Sequence, residues 1–109
     1  MTVGELIDSG LFKPLSVSHP EREINGAYIG DLLSWVMGRA ETDNAWITIM
    51  SNVNVIAVAS LTDVACVIFA EGVIPEESII ATAKEKGINL IVSEMPIYAT
   101  AKELSALKI

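Results

Sequence analysis

A chain of 109 residues has the length of one domain and can bury roughly two thirds of the surface its unfolded form exposes, so it needs no disulfide or metal to hold it together. Counting Gly and leaving out Tyr, about 56% of the residues are apolar, above the roughly 45 to 50% of ordinary soluble domains. That surplus predicts an apolar face kept for a partner, most simply a second copy of the chain, unless it reflects only a core rich in Ala. The formal charge of -7, with no Lys/Arg cluster to counter it, excludes nucleic acid as a partner.

In chain order, Thr2-Val3-Gly4-Glu5 reads as a capping box: the Thr hydroxyl accepts from a backbone N–H three residues on, and Glu5 reaches back. It predicts a helix from about Val3 to Ser9 that stops at Gly10. Lys13-Pro14 forces extended backbone, and Leu15-Ser16-Val17 alternates like a short strand. Ser18 to Glu23 is a polar connector, and Ile24 to Ile29 predicts a strand weakened by Gly26. Asp31 can cap a second helix, Leu32 to about Arg39, with Arg39 near its negative end. Leu32, Leu33, Trp35, Val36 and Met37 surround that helix almost completely, so Leu32, Trp35, Val36 and Met37 are the candidate subunit-interface residues.

Glu41 to Asn44 is a turn, and Ala45 to Met50 is a strand by its β-branched and aromatic content. Val55-Ile56-Ala57-Val58-Ala59 suits a strand or a buried helix. Helix is chosen for Asn52 to Asp63, because Ser51 or Asn52 can cap it, Val64 to Ala70 supplies the next strand, and parallel strands need a crossover between them. Pro75 opens a helix with Glu76 and Glu77 in its first turn, Lys84 and Lys86 in its last and Gly87 beyond it. Ile88 to Val92 is a strand, and Pro96 opens a final helix with Ile97, Ala101 and Leu104 on one face. The alternation predicts a three-layer α/β/α sandwich on a mainly parallel sheet. No internal repeat or linker interrupts the chain, so residues 1–109 are expected to form one domain.

Cys66 is alone, which rules out an internal disulfide and a cysteine zinc site and favours an intracellular location. Its neighbours Val64 to Ala70 mark it as a buried apolar side chain, not a nucleophile. Leu6 to Phe12 follows an acid, Glu5, and has no basic leader, so it is not a signal peptide. Ser60, Thr62 and Asp63 interrupt the apolar run Val55 to Ala70, which falls short of a membrane span of about 20 residues. A soluble, cytoplasmic protein is expected.

The segments Ile68-Phe69-Ala70-Glu71-Gly72-Val73-Ile74-Pro75-Glu76-Glu77, Ala83-Lys84-Glu85-Lys86-Gly87-Ile88 and Tyr98-Ala99-Thr100-Ala101-Lys102-Glu103-Leu104 resemble the second half of a DRTGG domain. Thr2-Val3-Gly4-Glu5-Leu6 followed by Leu15-Ser16-Val17 is similar to the opening of the HPr kinase/phosphorylase N-terminal domain. The resemblance spans nearly the whole chain and rests on order and spacing. It implies regulation or assembly, since such domains accompany nucleotide-sensing CBS domains, acetyl-transferring enzymes and a kinase domain. This chain has Ser51-Asn52-Val53 where the family pattern has Gly-Asp-Arg, and Ala70-Glu71-Gly72 where it has Thr-Gly-Gly, so ligand contacts of the Asp-Arg pair do not carry over. No Gly-x-x-x-x-Gly-Lys-Ser/Thr loop is present, and kinase activity is not implied.

Parallel sheets bind ligands beyond the carboxyl ends of their strands. The candidate ligand-binding residues there are Ser51, Asn52, Asn54, Glu71, Gly72 and Ser93, with Glu94 and Asp31 beside them. Free N–H groups at the helix start near Asn52 suit an anion, and Asn side chains suit a base or amide. Glu71 and Glu94 would repel an unneutralised polyphosphate, and Ser51, Asn52 and Ser93 equally suit plain helix caps. The spacing of the acids selects no metal, and no cofactor is implied. His19, in a charged loop, has no catalytic partner placed by motif, and Trp35 and Trp46 read as packing anchors. The leading expectation is a non-enzymatic regulatory or scaffolding module that dimerises and takes a partner or small ligand. The alternatives are an adenine-nucleotide sensor and, last, an enzyme using Ser51, Glu71 or Glu94.

Overall fold

The computed structural model describes all 109 residues. Five helices and five strands follow one another as α1 (Val3–Asp8), β1 (Lys13–Ser16), β2 (Ala27–Ile29), α2 (Leu33–Arg39), β3 (Ala45–Thr48), α3 (Asn54–Thr62), β4 (Cys66–Phe69), α4 (Glu77–Lys86), β5 (Leu90–Val92) and α5 (Ile97–Ala106). The strands form one sheet in the order β1-β5-β4-β3-β2. β2, β3, β4 and β5 are mutually parallel, whereas β1 closes one edge antiparallel to β5. The chain is thus a three-layer α/β/α sandwich with a mainly parallel sheet.

Every residue of β3, β4 and β5 is buried, because helices cover both faces of the sheet and the strands can be apolar throughout. Alternation still sorts their side chains. Trp46, Val67, Phe69, Leu90 and Val92 join Val36 of α2, Val55, Ile56, Val58 and Ala59 of α3, and Ile79 and Ala83 of α4 in one core. Ala45, Ile47, Cys66, Ile68 and Ile91 face the other way, onto Val3 and Leu6 of α1 and Leu104 of α5. The period of two along each strand thus supplies both cores. The apolar run Val55 to Ala59 is the buried helix α3, the crossover between β3 and β4. It ends at Asp63 in the left-handed conformation (φ 56°).

The capping box forms as read. Thr2 Oγ1 accepts from the Glu5 N–H at 3.1 Å, and the Thr2 N–H donates to Glu5 Oε1 at 2.8 Å. Two expectations change. The strand expected from Ile24 begins only at Ala27: Ile24 enters the second core, and Gly26 turns the chain at φ 152°. The connector before it does not hang free. It passes under the amino ends of the parallel strands, where the His19 N–H donates to Asn89 Oδ1 (3.0 Å) and Arg22 reaches Asp43 and Asp63. Asp31 does not cap α2, whose N-cap is Leu32 without a side-chain bond. Asp31 Oδ1 accepts instead from Thr48 Oγ1 (2.8 Å) and the Ile49 N–H (2.9 Å), tying the end of β2 to the end of β3.

Within one chain, α2 is covered on one side only. Val36 is completely buried in the first core, so it is a core residue and not an interface residue; Leu32, Trp35 and Met37 are 57%, 53% and 53% exposed. The geometry explains the split, since Trp35 and Met37 each stand about 100° from Val36 around the helix. Arg39 lies over the exposed Trp35 ring, 3.8 Å from its centroid, a cation–π contact that holds the indole in place.

Candidate functional site

The carboxyl ends of β4 and β5 are where the outgoing chain parts. α4 returns on one face of the sheet and α5 on the other, the arrangement that opens a crevice in parallel sheets. Here the two loops tie themselves together across it. The Glu71 N–H donates to the Met95 carbonyl and the Gly72 N–H to the Ser93 carbonyl, both at 2.9 Å. Glu71 and Gly72 are both left-handed (φ 60° and 69°), which turns their N–H groups onto the neighbouring loop at a strain cost for Glu71. Glu71 Oε2 then accepts from the Ile97 N–H (3.1 Å), so its carboxylate sits at the N-terminus of α5, where negative charge is favoured.

Glu71, Gly72 and Ser93 are therefore brought together, but not as an open ligand surface. Ser93 is fully buried, with its hydroxyl 2.7 Å from Thr100 Oγ1 and accepting from the Met95 N–H. This corrects the expectation that Ser93 faces a ligand: α5 folds back and brings Thr100 over it. Ser51 and Asn52 lie on the loop after β3 and Asn54 opens α3, and all three are exposed. Asn52 Oδ1 accepts from the Asn54 N–H at 3.0 Å, a turn that shapes the start of α3 without the side-chain cap expected from Ser51 or Asn52. Glu94 Oε1 pairs with Lys13 Nζ at 3.1 Å on the surface. No group of three metal-ligating side chains occurs, and no helix is long and apolar enough to cross a membrane.

Two features were not read from the sequence. The first is a groove of about 610 Å³ between β1 and α4, lined by Leu15, Ser16, Val17, Ser18, Glu77, Ile80, Ala81 and Lys84. It lies at the opposite flank of the sheet from Asn52. The signal for it was the adjacent pair Ile79-Ile80 on α4: Ile79 enters the core, and Ile80, turned away from it, stays half-buried against its rim. The second is the Arg22 clamp at the amino ends of the strands. Its guanidinium donates to Asp43 Oδ1 (2.6 Å), Asp63 Oδ1 (3.0 Å) and the Asp63 carbonyl (2.7 Å). Partial burial pulls the Arg22 pKa down, and the bonds and charges of Asp43 and Asp63 outweigh it, leaving Arg22 above its ordinary value. Asp43 and Asp63 are both left-handed non-glycine residues, so the clamp offsets backbone strain at two turns.

The crystal structure of the CBS and DRTGG domains of the regulatory region of Clostridium perfringens pyrophosphatase, complexed with its activator diadenosine tetraphosphate, superimposes on this chain with a TM-score of 0.70. The likeness covers 94% of this chain and 45% of that chain, at 18% sequence identity. The chain is DRTGG-like in fold. No protein-family model matches the sequence, and no curated protein does. The DRTGG-like fold here spans less than half of the pyrophosphatase chain, and at this identity the likeness speaks for architecture. In this chain, the turn at Ala70-Glu71-Gly72 has left-handed backbone at two successive positions although only one is Gly. The backbone shape there is set by the tie to the β5 loop.

Proposed function

We propose that this chain is a regulatory module that works by self-association and by taking a small ligand or a partner, without chemistry of its own. The observation that carries the reading is the likeness over 94% of the chain to part of a pyrophosphatase regulatory region. The exposed Leu32, Trp35 and Met37 on α2 support a homodimer, because burying them against a second copy removes apolar surface that one chain cannot cover. The acids expected to do chemistry are occupied structurally: Glu71 caps α5 and Glu94 pairs with Lys13. Neither is hydrogen-bonded to Ser51. Light scattering coupled to size-exclusion chromatography tests the assembly. The expected mass is twice that of one 11.7 kDa chain, falling to one for Trp35→Glu; a wild-type monomer at high micromolar concentration overturns it.

A second reading, an adenine-nucleotide sensor, is supported by the activator bound in the pyrophosphatase structure. A thermal-melting screen with diadenosine tetraphosphate, ATP, ADP and AMP checks it. A ligand present at a hundred times its Kd stabilises by about 2.7 kcal/mol, which raises Tm by roughly 10 °C or more in a domain of this size. Unchanged melting across that panel removes this reading and leaves the dimer untouched.

A further inference from the structure

The β1–α4 groove is formed by two parallel walls of different kinds. One wall is four successive residues of an edge strand and its continuation, Leu15 to Ser18; the other is the face of α4 that carries Glu77, Ile80, Ala81 and Lys84. β1 pairs with β5 only as far as Ser16, opposite Leu90. Past that point neither the N–H nor the C=O of Val17 or Ser18 is hydrogen-bonded to any other group of the chain. The upper half of the edge is blunted by Pro14, which has no N–H, and by the irregular register between Pro14 and Ser16, devices that discourage strand addition. The lower half has neither. Its open backbone lies beside a groove with Leu15 and Ile80 at its base, while the Val17 side chain turns to the other face of the sheet, and with an unpaired charge at each end: Glu77 and Lys84 take part in no ion pair.

We infer that this groove receives an extended peptide segment of a partner protein, added as a short strand along Leu15 to Ser18. Unpaired backbone donors and acceptors in a row select a ligand that offers the same groups in the same spacing, which is another extended chain. The groove admits about four residues, since four strand residues span roughly 13 Å and the seven steps from Glu77 to Lys84 roughly 10 Å. Alternation in the added strand directs an apolar side chain into the space between Leu15 and Ile80. Because α4 and β1 both run from the carboxyl towards the amino ends of the parallel strands, Lys84 stands near Ser16 to Ser18 and Glu77 near the blunted end. The segment is therefore apolar at its centre, acidic beside Lys84 and basic beside Glu77. This inference goes beyond the proposed self-association and uses the opposite flank of the sheet.

Selection from a displayed library of random octapeptides against the intact chain, followed by NMR titration of the isotope-labelled protein with the enriched peptides, tests it. The expected result is a shared apolar position flanked by acid on one side and base on the other, with amide shifts confined to Leu15–Ser18 and Glu77–Lys84. N-methylating the peptide backbone should weaken binding by about tenfold or more, as should Val17→Pro, each deleting one backbone hydrogen bond. Lys84→Glu should favour peptides with a base in place of the acid, and it leaves the fold intact because Lys84 is exposed. No enrichment, shifts elsewhere on the surface, or binding indifferent to N-methylation each overturn the proposal. The chain's mass is read separately, so failure here is distinguishable from failure of the dimer.

Discussion

Asp31 shows how much a single carboxylate can do once tertiary structure places it. Instead of capping α2 it accepts two hydrogen bonds from the end of β3, and Thr48, one of the donors, is completely buried. Charge-assisted bonds of this kind are among the stronger ones. Asp31→Ala should lower the unfolding free energy by about 1 to 2 kcal/mol, and Asp31→Asn by less because its oxygen can still accept; urea denaturation measures both. Cys66 makes the opposite point. Burial pushes its thiol up to about 12 against a small opposing pull from Arg22, so almost no thiolate exists at neutral pH. A chromogenic thiol reagent should leave native protein unlabelled and titrate one thiol per chain only in denaturant. Both residues were legible by type alone, and only Cys66 was legible by role. Its apolar neighbours announced burial, whereas nothing near Asp31 in sequence announced Thr48.

At the scale of elements, α1 depends on its cap. The Glu5 carboxyl is held below its ordinary pKa, first by the backbone N–H of Thr2 and then by the Thr2 side chain. A group with a depressed folded-state pKa stabilises the native chain at pH values above its unfolded pKa, and that contribution is lost as pH falls through the folded value. The amide of Thr2 should therefore lose protection from hydrogen exchange on acidification through and below the ordinary carboxylate range, and Glu5→Gln should flatten that dependence. The Arg22 clamp joins three elements: the connector to β2, the turn before β3 and the end of α3. Arg22→Met leaves Asp43 and Asp63 close together, left-handed and without their cation, and should cost about 2 kcal/mol in a urea titration, since the guanidinium is only partly exposed. The elements were read correctly where propensity and tertiary demand agreed, as in α3, whose apolar run serves as a crossover. They were misread where a cap had to be chosen, as at α2, whose start carries no side-chain bond from Asp31.

For the whole molecule, the two cores on either side of the sheet carry the stability. Ile68 is fully buried in the second core, beneath α1 and α5, and Ile68→Ala should cost about 2 to 5 kcal/mol in denaturant unfolding. Against the usual total of about 5 to 15 kcal/mol for a domain, that change brings the chain close to its stability threshold. The faces left open have different characters. The α2 side exposes apolar side chains on a helix; the β1 side exposes backbone on a strand edge beside an apolar groove. A surface of the first kind suits association by apolar burial and one of the second suits strand addition, which is why the two proposals use opposite flanks.

By itself the sequence determined the layered architecture, the parallel run from β3 to β5 and the solitary, buried cysteine. These follow from local periodicity, capping residues and the need for a crossover between parallel strands, all of which act over a few neighbouring positions. The tertiary structure alone decided that Val36 is core while Trp35 is surface, that Ser93 turns inward onto Thr100, and that Glu71 closes the crevice between β4 and β5. It also decided that the one groove lies beside β1. Each of those outcomes depends on contacts between segments distant in the chain, and a hydrogen bond or a covered face between such segments leaves no periodic trace in the residues that make it.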